Sequence, residues 1–194
     1  ALAQARQAGV NLFFWEPAYV QLTRFLRRQR DREQLVIVGG TYEGDRFGIE
    51  RDLQRALRRL GTGYLDVFLL FWTRSPQRLS AEALAVLREL KQAGRIGALG
   101  FSTHDRELAA AAICSGDWDV VMTRHSAAHP GAEERLLPLA RDPQTGALRK
   151  INCVRASTVG EPLDLCSVRE DLKVLWRMGS FDDVAVEVDE CAAC

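Results

Sequence analysis

The sequence predicts a parallel α/β fold of the (β/α) barrel kind, and three observations carry that expectation. Short runs rich in β-branched and aromatic residues alternate one for one with longer amphipathic segments. The connections between them are short. The polar and aromatic residues with chemistry to offer gather at the carboxyl ends of the runs, where barrels carry their sites. The 194 residues, 47% hydrophobic and 27% charged, provide one domain's worth of core.

Taken in order, Ala1–Ala8 reads as an amphipathic helix already in progress, stopped by Gly9, and Val10–Trp15 follows as a buried strand. A helix over Tyr19–Arg30 leads to a strand at Leu35–Val38. The segment Ile49–Leu60 sets Leu53, Ala56, Leu57 and Leu60 opposite Arg51, Arg55, Arg58 and Arg59. That pattern makes an amphipathic helix with a solvated basic side, closed by Gly61. Leu65–Phe71 is the next strand. Ser80 has the hydroxyl an N-cap needs for the helix Ala81–Gln92, and Gly94 closes it. Ile96–Ser102 is a strand, Asp105 caps a helix over Arg106–Ile113, and Asp119–His125 and Gly131–Ala140 form one more pair. Arg149–Gly160 has no sustained period, Leu163–Cys166 reads as a short strand and Arg169–Trp176 as a helix. We expect a barrel domain over 1–179 and an acidic tail over 180–194 that ends in Cys191-Ala-Ala-Cys194. An eight-unit barrel needs about 250 residues, so a first strand and loops near Leu148 and Ser167 are expected to lie outside this sequence.

Composition narrows the partners. The 26 basic and 26 acidic residues cancel, which gives no electrostatic reason to expect nucleic acid or an acidic membrane. No apolar run approaches the roughly 20 residues of a membrane span, and nothing at the start reads as a signal peptide. An odd number of cysteines, 5, argues against a secreted disulfide framework and makes a reducing cytoplasm the default. Cys114, at a helix end, is expected to serve packing. Cys191 and Cys194 have the spacing of a shared metal or redox pair, but two ligands fall short of an iron–sulfur cluster. An incidental pair in a frayed tail is the favoured reading.

The strand ends carry a resemblance. Gly9-Val-Asn-Leu-Phe-Phe-Trp-Glu-Pro-Ala-Tyr19, Tyr64-Leu-Asp-Val-Phe-Leu-Leu-Phe-Trp72, Gly94-Arg-Ile-Gly-Ala-Leu-Gly-Phe-Ser-Thr-His104 and Asp119-Val-Val-Met-Thr-Arg-His-Ser126 stand in one order. They resemble the second, fourth, fifth and sixth strands of the aldo-keto reductase superfamily. The match spans about Ala1–Arg141, with fainter echoes at Asn152-Cys-Val-Arg155 and Leu163-Asp-Leu-Cys166. It implies a (β/α)8 TIM barrel that reduces carbonyls with NADP(H) and a tyrosine acid tuned by an aspartate, a lysine and a histidine. Tyr19 falls on the tyrosine. Phe14 occupies the aspartate position, Gly40 the lysine position and Phe71 the histidine position. Of the nicotinamide contacts, Ser102 is kept. Thr103 stands for an amide residue, Met122 for a glutamine and His125 for a stacking aromatic. No clear phosphate clamp is found near Arg169–Asp171. A tyrosine with a pKa near 10 is a poor acid without a neighbouring cation, so ordinary aldehyde reduction is expected to be very slow.

The residues left at the strand ends define the candidates. Tyr19, His125 and Glu16 are the acid/base candidates, and Ser102, Thr103 and His125 are the cofactor contacts. Trp72, Arg74, Arg124 and His104 are the substrate contacts, with Arg74 and Arg124 suited to an anion. The competing reading is that Phe14, Phe71 and Trp72 plug the mouth while the polar groups are merely solvated. His104, His125 and His129 with Glu16 lack a standard metal-ligand spacing. Three functions stay open. The first is an oxidoreductase acting on a small carbonyl compound or a modified peptide. The second is a catalytically inactive barrel serving as a binding or assembly subunit. The third is a lyase or isomerase using Glu16 and His125 without nicotinamide. A homo-oligomer is compatible with each.

Overall fold

The structure is a computed structural model and describes residues 2–124, 131–140 and 151–153. Six strands form one parallel sheet in the order β1-β2-β3-β4-β5-β6. They are β1 (Leu12–Phe14), β2 (Val36–Thr41), β3 (Leu65–Leu70), β4 (Ile96–Thr103), β5 (Val120–Thr123) and β6 (Ile151–Cys153). Six helices accompany them: α1 (Leu2–Gln7), α2 (Val20–Leu26), α3 (Arg46–Leu60), α4 (Ala81–Gln92), α5 (Arg106–Ser115) and α6 (Ala132–Ala140). A doubly wound sheet reverses its strand order at a switch point, whereas this order never reverses. Sequential parallel strands with a helix between neighbours make a partial barrel, as the sequence predicts.

The sheet buries apolar side chains on both faces, so its strands are continuous apolar runs. One face packs Phe13, Ile37, Phe68, Leu70, Phe101 and Val121 under the helices, against Leu53, Leu57, Val86 and Leu87. The other is a smaller cluster of Val38, Val67, Leu69 and Phe71, with Phe14, Val36, Ala98, Val120 and Met122 packed beside it. This second set alternates with the first along every strand and is the barrel interior.

Local chemistry sets the boundaries. Asp45 accepts a hydrogen bond from Gly48 N (2.9 Å), so α3 begins at Arg46, a turn earlier than its apolar period alone suggests. Gly61, at φ 69, closes it in the left-handed region. Ser80 accepts from Ala83 N (3.1 Å), and Asp105 from Glu107 N and Leu108 N. Both caps are where the sequence puts them. On α3, Leu53, Ala56, Leu57 and Leu60 are buried while Arg51, Arg55, Arg58 and Arg59 are exposed.

Three expectations need correction. The second helix stops at Leu26, with Arg27 as its C-cap, because the chain tightens there into a turn. The segment without period at 149–160 contains β6, whose Ile151 and Cys153 pair with Val121 and Thr123. A three-residue strand is too short to show a period. Cys114 is exposed: on α5 the buried positions are Leu108, Ala109, Ala110 and Ala112, and Cys114 lies off that stripe. The strand expected at Leu163–Cys166, the helix at Arg169–Trp176 and the tail lie outside the described residues.

Candidate active site

The carboxyl ends of β1–β5 assemble the mouth. Residues that alternate inward at this level are Phe14, Gly40, Phe71, Ser102 and Met122. Three of these are the positions where the resemblance implies aspartate, lysine and histidine, and they form one interlocked unit. The Phe14 and Phe71 ring centroids are 5.2 Å apart. A Cβ built on Gly40 would come 2.7 Å from two ring carbons of Phe71 and 2.2 Å from Leu69 O. Phe71 thus fills the volume a side chain at 40 would use. Glycine here follows from that close approach.

Above this apolar floor lies a polar pair. Tyr42, two residues beyond Gly40, rests on Phe71 with ring centroids 5.3 Å apart, and its hydroxyl donates to Glu16 Oε1 (3.4 Å). Burial raises the pKa of Glu16, and the hydrogen bond from Tyr42 only partly offsets this. Burial, then the charge and hydrogen bond of Glu16, then Tyr19, raise the phenol of Tyr42. Tyr19 therefore lies near the pair, with its half-buried ring packed against the helix-side core. The reading from sequence omits Tyr42 from the site. Its signal was its place just after a strand end, on the same rim as Glu16.

The opposite wall is built on Ser102. Its Oγ accepts the Trp72 N–H (2.8 Å) and its carbonyl accepts the Thr73 N–H (2.7 Å), tying the end of β3 to β4. Trp72 has φ 52, a left-handed conformation that costs a bulky residue about 1–3 kcal/mol. The turn projects the indole outward, 52% exposed. The Arg74 guanidinium lies 4.5 Å from the indole centroid, and the His104 ring stacks at 6.4 Å. Arg124 is exposed just past β5. Thr103 is the exception among the expected contacts. It is 1% exposed, and its Oγ1 accepts Asp105 N (3.0 Å), because it alternates with Ser102 and faces the helices. His125, His129, Cys191 and Cys194 lie outside the described residues, and among those described no group of three potential ligands could hold a metal ion.

These residues fit the ring of a nicotinamide cofactor in a limited way. Ser102 accepts one hydrogen bond and keeps its own proton to donate to a carboxamide oxygen. Phe14, Phe71 and Met122 supply an apolar surface for a flat ring.

Comparison with known proteins defines the class. A model of the Aldo/keto reductase family matches residues 2–164, and the chain belongs to that family. The NADH-specific methylglyoxal reductase of Escherichia coli is 29% identical over 169 residues, covering 73% of this chain. The chain spans about half, 52%, of that relative's length. A solved aldo-keto reductase of Pseudomonas aeruginosa superposes with a TM-score of 0.67 at 25% identity, covering 92% of this chain and 71% of that one. The Klebsiella pneumoniae aldo-keto reductase, solved in complex with NADPH, gives a TM-score of 0.60 at 23% identity, covering 71% and 51%. The latter bears on fold alone.

Proposed function

We propose that this chain is the larger part of an oxidoreductase of the aldo-keto reductase family that acts on a small carbonyl compound or a modified peptide, with its proton-transfer machinery rebuilt. The observation that carries the reading is the family match across residues 2–164. A reduced nicotinamide, when bound, would supply the hydride. NADP(H) is the cofactor the resemblance implies, while the E. coli relative is described as NADH-specific, so both belong in the test.

The chain's own residues then have these roles. Ser102 holds the carboxamide with its hydroxyl proton. Phe14 and Phe71 exclude water beneath the ring. Glu16 gives the proton: burial raises its pKa, so it retains a proton closer to neutrality than an ordinary carboxyl. Tyr42 positions it. Tyr42 is the weaker donor, since the carboxylate beside it raises its own pKa. Tyr19 and His125 remain acid/base candidates, and His125 is also a cofactor contact. Trp72, Arg74, Arg124 and His104 form the substrate wall, and their two guanidiniums suit a substrate bearing an anionic group.

A second reading has its own observation. Phe71 lies in the space of a side chain at 40, which suits a barrel kept for binding or assembly. Titration with NADPH and with NADH separates the two, using the fluorescence of exposed Trp72 with Trp72→Phe as the control. Saturable quenching, lost in Trp72→Phe and weakened by Ser102→Ala, supports the oxidoreductase. No binding of either cofactor supports the alternative.

A further inference from the structure

On the outer side of the barrel, away from the strand ends, α2 and α3 enclose an open groove of about 550 Å³. It is lined by Pro17, Val20 and Thr23 and by five arginines: Arg24, Arg27, Arg55, Arg58 and Arg59. No carboxylate lines it. The geometry points to a binding site for a small anion bearing several phosphate groups.

The charge arrangement separates this groove from the rest of the surface. Elsewhere the exposed basic residues are matched: Arg46 pairs with Glu50 and Glu89, Arg51 with Asp52 and Glu43, Arg88 with Asp117 and Lys91 with Asp119. None of the groove's five arginines takes part in an ion pair among the described residues. Arg27 donates to the carbonyls of Arg58 and Arg59, and Arg59 to that of Pro17, so these two hold the groove's shape. Arg24, Arg55 and Arg58 make no hydrogen bond among the described residues, which leaves their forks free for a ligand. Asp52, near Arg55, is committed: it accepts from Thr41 Oγ1 (2.7 Å) and Arg51 Nε (2.9 Å).

Helix spacing concentrates the charge. Arg24 and Arg27 are i,i+3 on one helix, and Arg55, Arg58 and Arg59 are i,i+3 and i,i+4 on the other, so each set lies on one side. Like charges at these spacings destabilise a helix, and an anion would reverse that cost. A planar guanidinium binds phosphate through two parallel hydrogen bonds. Five cations in a volume of small-molecule size call for a ligand equally dense in charge. An acidic peptide spreads one charge per side chain. A nucleic acid needs a long basic face, whereas α3 just beyond the groove mixes signs at Glu50, Arg51 and Asp52.

Calorimetric titration with inorganic tripolyphosphate tests the site on the full chain. One saturable site is expected, weakening with added salt and raising the melting temperature. Orthophosphate is expected to bind at least tenfold more weakly. Arg24→Gln/Arg55→Gln/Arg58→Gln should lower the affinity at least tenfold without lowering the melting temperature of the free protein, and Glu16→Gln, at the mouth, should leave it unchanged. No saturable binding, equal affinity for orthophosphate, or tighter binding of a hexaglutamate peptide or a short oligonucleotide would overturn the proposal. Should the triple variant fold poorly, Arg24→Gln/Arg58→Gln gives the same readout, and undiminished affinity there also overturns it. The result is independent of whether the mouth binds nicotinamide.

Discussion

Glu16 shows what one residue at the mouth contributes. Its folded-state pKa is raised, chiefly by burial. The stability it provides is therefore fully present below the ordinary carboxylate range and is lost as pH rises through the raised value. Glu16→Gln removes the buried charge but keeps an oxygen that can accept from Tyr42. The variant should be at least as stable as the parent at neutral pH, with the difference closing as pH falls below the usual carboxylate range; urea unfolding across pH measures this. If Glu16 is the proton donor, the parent's rate should fall as pH rises through that pKa, and the variant should lack that limb. Gly40 allows a sharper test. Gly40→Ala places a methyl 2.2 Å from Leu69 O and 2.7 Å from Phe71 and should cost about 1–3 kcal/mol. Trimming Phe71 in the same chain should recover only part of that, since the carbonyl stays where it is.

At the scale of elements, two aspartates repeat one device. Asp66, on β3, accepts from Ile37 N of β2 (2.8 Å) and from Arg32 (2.7 Å). Asp119, just before β5, accepts from Leu99 N of β4 (3.1 Å) and is paired with Lys91. Each binds a neighbouring strand's amide and a cation away from the mouth. Asp66→Ala leaves the Ile37 amide and the Arg32 guanidinium without that partner and should destabilise by about 1–3 kcal/mol. Thermal unfolding would show this without change in ligand binding. Asp45→Ala should cost about 1 kcal/mol through the lost cap of α3. The elements themselves were largely legible. Strands buried on both faces give unbroken apolar runs, and the hydroxyl of Ser80 and carboxylate of Asp105 mark helix starts directly. Asp45 was missed because Arg46, Phe47 and Gly48 interrupt the apolar period that follows a cap. The site was less legible. Sequence order set Tyr19, Glu16 and Ser102 on one rim, but the Glu16–Tyr42 contact joins residues 26 apart. The burial of Thr103 depends on which face the last residue of β4 turns to.

For the molecule as a whole, the question is what a barrel of this family does when its mouth is apolar at three of the positions that tune the acid. The scaffold for hydride transfer and the machinery for proton transfer are separable: one needs a flat surface and a hydrogen bond from Ser102, the other a matched acid. Losing a positioned acid commonly costs about 10²–10⁴-fold in rate, and the three replacements cannot be multiplied, because groups acting as a unit are not additive. Reduction of methylglyoxal and other simple aldehydes should therefore be slower than in a relative with the full set by about 10²–10⁴-fold, with either NADPH or NADH. Consumption of the reduced cofactor at saturating aldehyde measures it. Tyr19→Phe should change the residual rate little, and Glu16→Gln should lower it. Rapid turnover abolished by Tyr19→Phe would show instead that Tyr19 is still the acid and that another group has assumed the lysine's work. Cofactor binding without turnover of any carbonyl would place the chain among barrels that keep the ligand and have given up the reaction.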